Sequence, residues 1–267
     1  MSRPAVRPVI RVPSPVGGWE PPWPSLFELA GRLPEHGWML IGGLMVQAHA
    51  RAAGIESIRP THDVDVIVLV HLDPDPFVET IYALRELGYD QHQSLNGAGP
   101  AHRFQKDGAV VDLGLADNLG PEMLKNKRVG GRRFLEIDGG QQASKRLAQL
   151  EVEGCPASML IPDQLGALVL KGAAYLVDSR DKARHLQDAA ALAAAITDHA
   201  SERDRLTGSD PRRIRALSDG LGSPTHPAWL SLTDRQRTAG QDTFRLLLSD
   251  RPVRRAPTPA SERFKRT

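Results

Sequence analysis

The run at residues 64–70, Val-Asp-Val-Ile-Val-Leu-Val, constrains this chain more than any other segment. β-Branched residues dominate it, and their stiff χ1 torsions favour extended backbone. A strand that is apolar on both faces must be covered on both, so the run calls for a sheet buried under helices. Its one polar side chain is Asp65, and Asp63 stands just before it. Two acids thus sit at the mouth of a strand that has every other reason to be core.

The flanking pattern supplies the rest of such a layer. Residues 38–41 form a brief apolar run ending in Gly42-Gly43, and residues 44–53 read as a helix, giving strand, tight glycine turn and helix. Residues 77–87 carry Val78, Ile81, Leu84 and Leu87 at helical spacing, with Gly88 as the stop. Residues 103–105, the turn Lys106-Asp107-Gly108 and the apolar run 109–115 read as a hairpin. After about Gly154 the character changes. Pro162-Asp163 opens a helix through Leu176, and residues 181–197 form a second one dense in alanine. The short turn at 178–180 makes the two antiparallel. Further helical pattern covers 212–217 and 234–248. The expected fold is α/β (α+β), an α/β lobe over residues 25–160 followed by a helical lobe over 161–250.

The ends read differently. Seven prolines within residues 1–24 exclude regular helix and predict an extended, poorly ordered arm, followed by a short helix after Ser25 with Leu26, Leu29 and Leu33 at helical spacing. Residues 251–267 are basic and proline-containing and read as a disordered tail. Cys155 is the only cysteine, which excludes an internal disulfide and a cysteine-based zinc site. There is neither a secretory h-region nor an apolar run long enough for a bilayer, so a cytoplasmic protein without membrane contact is expected. Net charge is only +2, but basic residues crowd 125–133, 180–184, 203–215 and 251–266. Such runs suit a polyanionic partner, and equally a solvated surface.

Residues i and i+2 of a strand point to one face, roughly 6.6 Å apart along the backbone. Asp63 and Asp65 so placed can converge on a hard cation such as Mg²⁺, which takes oxygen ligands and keeps part of its shell for phosphates. Asp112 interrupts the apolar run Val110-Val111-Asp112-Leu113. An acid there is costly unless it is paired or ligates metal. If its strand neighbours that of Asp63, three acids meet, as two-metal phosphoryl transfer requires; the alternative is a simple ion pair with Arg103. Gly42-Gly43 lets backbone N–H groups approach a phosphate at a helix N-terminus, or is merely a turn needing positive φ. No Walker loop and no dinucleotide fingerprint is present at that turn. His49 and His62 read as packed or exposed residues and take no catalytic role.

The stretch Trp38-Met39-Leu40-Ile41-Gly42-Gly43-Leu44-Met45-Val46-Gln47-Ala48-His49, followed by Arg59-Pro60-Thr61-His62-Asp63-Val64-Asp65-Val66-Ile67-Val68, resembles the nucleotidyltransferase superfamily. It is most similar to the AbiEii-type toxin branch, whose pattern is Gly-Gly followed by Arg-x-Thr-x-Asp-hydrophobic-Asp. The likeness extends more loosely to Val169–Ala174 and to Asp181-Lys182 through Asp188, covering roughly residues 38–196. The resemblance implies a mixed sheet flanked by helices, with Mg²⁺ at Asp63 and Asp65 and Asp112 as a less regular third acid. It further implies nucleotide phosphate contacts at Gly42, Gly43 and Thr61, with Lys171 on the triphosphate and Asp188 supporting the site. The implied reaction moves a nucleoside monophosphate from an NTP to an acceptor hydroxyl, notably an RNA such as a tRNA 3′ end. The implied setting is a toxin with a possible antitoxin partner. Alternatives are a small hydroxylated acceptor such as an aminoglycoside, and a non-catalytic relative that binds nucleic acid or a partner.

One geometric expectation follows from the residues alone. Leu165, Leu168, Val169, Gly172 and Leu176 form an apolar stripe, and Lys171 lies just off it, where a long side chain can run along apolar surface toward a phosphate. Lys171 should therefore enter the same cleft as Asp63 and Asp65.

Overall fold

The computed structural model describes residues 7–56, 58–72, 75–92 and 102–250. In its first half the elements run β1 (Val9–Val12), α1 (Trp23–Ala30), β2 (Trp38–Ile41), α2 (Gly42–Ala52), β3 (Asp63–Val68), α3 (Phe77–Glu86), β4 (Asp90–Gln91), β5 (Arg103–Lys106) and β6 (Ala109–Ala116). There follow α4 (Pro121–Leu124), β7 (Arg128–Val129), β8 (Arg132–Arg133), β9 (Leu135–Ile137), α5 (Gly140–Ser144), β10 (Leu147–Val152) and β11 (Met159–Pro162). The remainder is helical: α6 (Gln164–Val177), α7 (Lys182–Ala195), α8 (His199–Asp204), α9 (Asp210–Gly220), α10 (Pro227–Leu230) and α11 (Asp234–Leu247). The fold is mixed α/β with a helical C-terminal region.

Nine strands make one mixed sheet in the order β1-β10-β11-β2-β3-β6-β5-β4, with β9 added beside β6. β3 is central, as its composition demands: Val64, Val66, Ile67 and Val68 are all buried. It pairs antiparallel with β2 and parallel with β6, in a register that sets Asp65 opposite Asp112. That parallel pairing needs the crossover through α3, whose Phe77, Ile81 and Leu84 are buried. The expected hairpin is β5–β6, turning at Asp107-Gly108 with both residues at positive φ.

Asp163 caps α6 by accepting from the Gly166 N–H, and Asp181 caps α7 by accepting from the Arg184 N–H. Gln164 reaches the Ala195 carbonyl, Lys171 meets Asp188 and Asp178 meets His185, as antiparallel helices require. α7 packs by its alanines: Ala189, Ala190, Ala191 and Ala193 are buried, so neighbouring helices come close.

The N-terminal arm is corrected. From Val9 to Val12 it forms an edge strand paired parallel with β10, and Trp23 is buried with its indole N–H donating to Gln47. Prolines 8 and 13 bracket this strand, and an edge tolerates them because one side of its ladder is unused. The expected basic tail, 251–267, lies outside the described residues, and among those described no helix is long and apolar enough to cross a membrane.

Candidate functional site

At Gly42 the backbone turns with φ +70°, directly from β2 into α2. A Cβ there would lie 1.8 Å from Asp65 Oδ2 and 2.6 Å from Asp65 Cβ, so the glycine is what lets this carboxylate sit under the turn. Gly43 does the same for Thr61: a Cβ would fall 2.6 Å from the threonine's Cβ and Oγ1. Thr61 in turn donates to Asp63 Oδ1 at 2.9 Å, fixing that carboxylate. The first turn of α2 has no side-chain cap, and its end of the helix favours negative charge.

Asp63, Asp65 and Asp112 come together: each offers an oxygen within 4.8 Å of the others. The β3–β6 register does this, because parallel pairing of Asp65 with Asp112 puts both on one face. Three carboxylate oxygens gathered in this way form a hard donor set that can hold a metal ion. The charge crowding is visible in Asp65, whose carboxyl is desolvated at the cleft floor and pressed by Asp63 and Asp112, so that its pKa is pushed up to about 7. Asp112 meets both expectations at once. It belongs to the cluster and also takes a bidentate pair of bonds from Arg103, 2.8 Å from Nε and 2.6 Å from Nη2.

The cluster opens into a cavity of about 730 Å³ whose far wall comes from α6 and α7. Lys171, Asp178, Arg180, Arg184 and His185 all line it, so Lys171 does enter the same cleft as the acids. Lys171 is buried more deeply than an amphipathic boundary position suggests: only 8% of its side chain is exposed, and its ammonium lies 2.8 Å from Asp188 Oδ2. Asp188 is no solvated helix residue. It is buried and also bound by Arg59 through Nε at 3.2 Å. Burial alone would raise its pKa, but Lys171 and Arg59 outweigh that and hold it below the ordinary carboxylate range. The loop before β3 is thereby tied to the helical wall.

Three residues of the cleft, Arg59, Asp178 and His185, escape the sequence reading. Arg59 lies within the Arg-x-Thr pattern without a role assigned to it there. Asp178 accepts the N–H groups of Arg180 and Asp181 and bonds His185 and Arg184, which drives its pKa well below the usual carboxylate value. It therefore fixes the α6–α7 turn at the cleft edge. His185 bonds Asp178 through Nε2 at 3.0 Å while its Nδ1 is buried without a partner; burial, aided by Lys171 and Arg184, lowers its pKa against the opposing pull of the Asp178 hydrogen bond. Helical spacing gave no signal for these, because Arg59 reaches Asp188 from a loop and Asp178 is bonded within the α6–α7 turn and from α7.

His49 is buried and bonds the Pro162 carbonyl at 2.9 Å, a packing role as expected, whereas His62 lines the cleft. Compared with known proteins, the chain matches no family model, no curated protein and no solved structure.

Proposed function

We propose that this protein is a Mg²⁺-dependent nucleotidyltransferase that moves a nucleoside monophosphate from an NTP to an acceptor hydroxyl. The observation that carries the reading is the meeting of Asp63, Asp65 and Asp112 under the Gly42-Gly43 turn, opposite a cationic helix wall. In the reaction the acceptor oxygen attacks the α-phosphorus, the bond from that phosphorus to the oxygen bridging it to the β-phosphate breaks, pyrophosphate leaves with that oxygen, and the hydroxyl proton passes to solvent water. Asp63, Asp65 and Asp112 would hold Mg²⁺, which when bound would supply charge neutralisation for phosphoryl transfer. Thr61 holds Asp63 in place, and Gly42 and Gly43 let the chain come close to the phosphates. Lys171 and Arg184 offset triphosphate charge, while Asp188 acts as a positioning residue that holds the Lys171 ammonium at the wall.

RNA is the proposed acceptor, with a tRNA 3′ end as the case to test first. Support comes from cations at the cleft and beside it. β9 lines the cleft with Leu135 and Ile137, and the hairpin just before it carries Arg128, Arg132 and Arg133, which among the described residues have no carboxylate partner. The toxin role and an antitoxin partner rest on the sequence resemblance.

The test uses purified protein, Mg²⁺, each α-labelled NTP in turn and total tRNA, resolved on a gel. Label should move to RNA, and Asp63→Ala or Asp65→Ala should cut the rate roughly a thousandfold or more, several kcal/mol of transition-state stabilisation. No labelled RNA with any NTP, or more than a tenth of the wild-type rate in either variant, overturns the proposal.

A further inference from the structure

The cleft has a third chemical zone besides its acids and its cations. Leu170, Ala174 and Val177 line it from α6, and their i, i+4, i+7 spacing sets them on one helix face. Exposure grows along that face, from 5% at Leu170 to 60% at Val177, so the apolar stripe runs from the buried core out to the rim. Leu135 and Ile137 line the same cavity from β9, two residues apart and so on one face of that strand, with Glu136 and Asp138 alternating beside them. Among the described residues that line the cavity, none is an asparagine or glutamine.

We infer that these two apolar walls form a nucleobase slot, which orients a nucleotide with its phosphates toward Asp63 and Asp65 and its ring outward between Val177 and Leu135. The inference rests on the proposed nucleotide chemistry and deepens it. Charge complementarity selects the occupant. Lys171, one residue beyond Leu170 and so about 100° around α6 from it, lines the same cavity, so a ligand here joins an anionic end to a flat apolar end. A nucleoside triphosphate does so, and a cavity of about 730 Å³ lies within the size range of small-ligand sites. The apolar side chains hold the ring, while Ser179 and Arg180 on one side and Glu136 and Asp138 on the other line the same cavity and carry the groups that can bond its edge.

Val177 suits the test because its exposure makes substitution harmless to the fold. Calorimetry with Mg²⁺ compares ATP, CTP, GTP and UTP with inorganic triphosphate on the full chain. Wild type should bind each nucleotide at least roughly tenfold tighter than triphosphate, since only the nucleotide has a ring to bury against the apolar side chains. Val177→Trp should tighten nucleotides roughly fivefold and Val177→Asn weaken them by a similar factor, both leaving triphosphate within about twofold. Nucleotides binding no tighter than triphosphate, or Val177 variants shifting both ligands equally, would overturn the slot. Retained discrimination without RNA labelling would sink the transfer reaction and leave the slot standing. Intact labelling with no effect of Val177 would do the reverse.

Discussion

Replacing Gly42 by alanine tests whether the glycine turn exists to admit Asp65. Two costs are separable. The first is backbone: φ +70° places an alanine in the left-handed region, at roughly 1–2 kcal/mol. The second is steric, since the new methyl would lie 1.8 Å from Asp65 Oδ2, 2.5 Å from Cγ and 2.6 Å from Cβ. Rotating the carboxylate relieves only the first contact, because the aspartate's own Cβ is also too near. Either β3 or the turn must move, and overpacking of this kind costs typically 1–3 kcal/mol more. The sum is about 2–5 kcal/mol. Gly54 is the internal control: it has the same φ of +70° but nothing within 4 Å of an added Cβ. Gly54→Ala should therefore lose only the backbone part. Urea denaturation of both variants, with Mn²⁺ titration of the folded protein, gives both readouts. Gly42→Ala should lose at least about 1 kcal/mol more than Gly54→Ala and bind Mn²⁺ at least tenfold more weakly. Equal losses in the two variants, with unchanged metal affinity, would refute the argument.

Three further outcomes follow from the charges. Asp188→Asn strands the Lys171 ammonium in a buried site and should cost about 3–5 kcal/mol in denaturant; Lys171→Met on that background should restore stability without restoring transfer. His49 is buried and its pKa is lowered to about 4, so the folded state refuses a proton that the unfolded chain takes near 6.5. Stability should be fully present above about pH 6.5 and fall on the order of 3 kcal/mol toward pH 4, and His49→Gln should flatten that slope in pH-dependent melts. Asp65, raised to about 7, has the opposite sign: the metal-free protein should lose stability as pH rises from about 4 to 7. Mg²⁺ should reverse this with release of a proton, and its affinity should climb with pH and level off above 7, as calorimetry in buffers of different ionisation heat can measure.

The acid cluster was legible because each element of it is local. Asp63 and Asp65 share a strand face, and the apolar context of Asp112 advertised a special partner. Whether β6 lay beside β3 was a question of topology, which spacing cannot answer. Two edge-side strands went unread for different reasons. β10 does alternate, with Ala148, Leu150 and Val152 buried, but it is short and follows a glycine-rich stretch; β1 hides between prolines. The helical wall was legible as helices and not as a site. Asp188 among alanines looks like a solvated residue until Arg59, 129 positions away, is brought to it. Long-range ion pairs leave no periodic trace.

That bridge has a thermodynamic consequence. Arg59 precedes Asp63 by only four residues, and it grips the same carboxylate that grips Lys171. Order at the acids and order at the cation wall thus share one fastening, so a ligand that tightens either end changes the affinity of the other by an equal factor. Divalent cation and polyphosphate would then report on each other reciprocally, and cutting Arg59 would uncouple them while leaving every residue that touches either ligand in place.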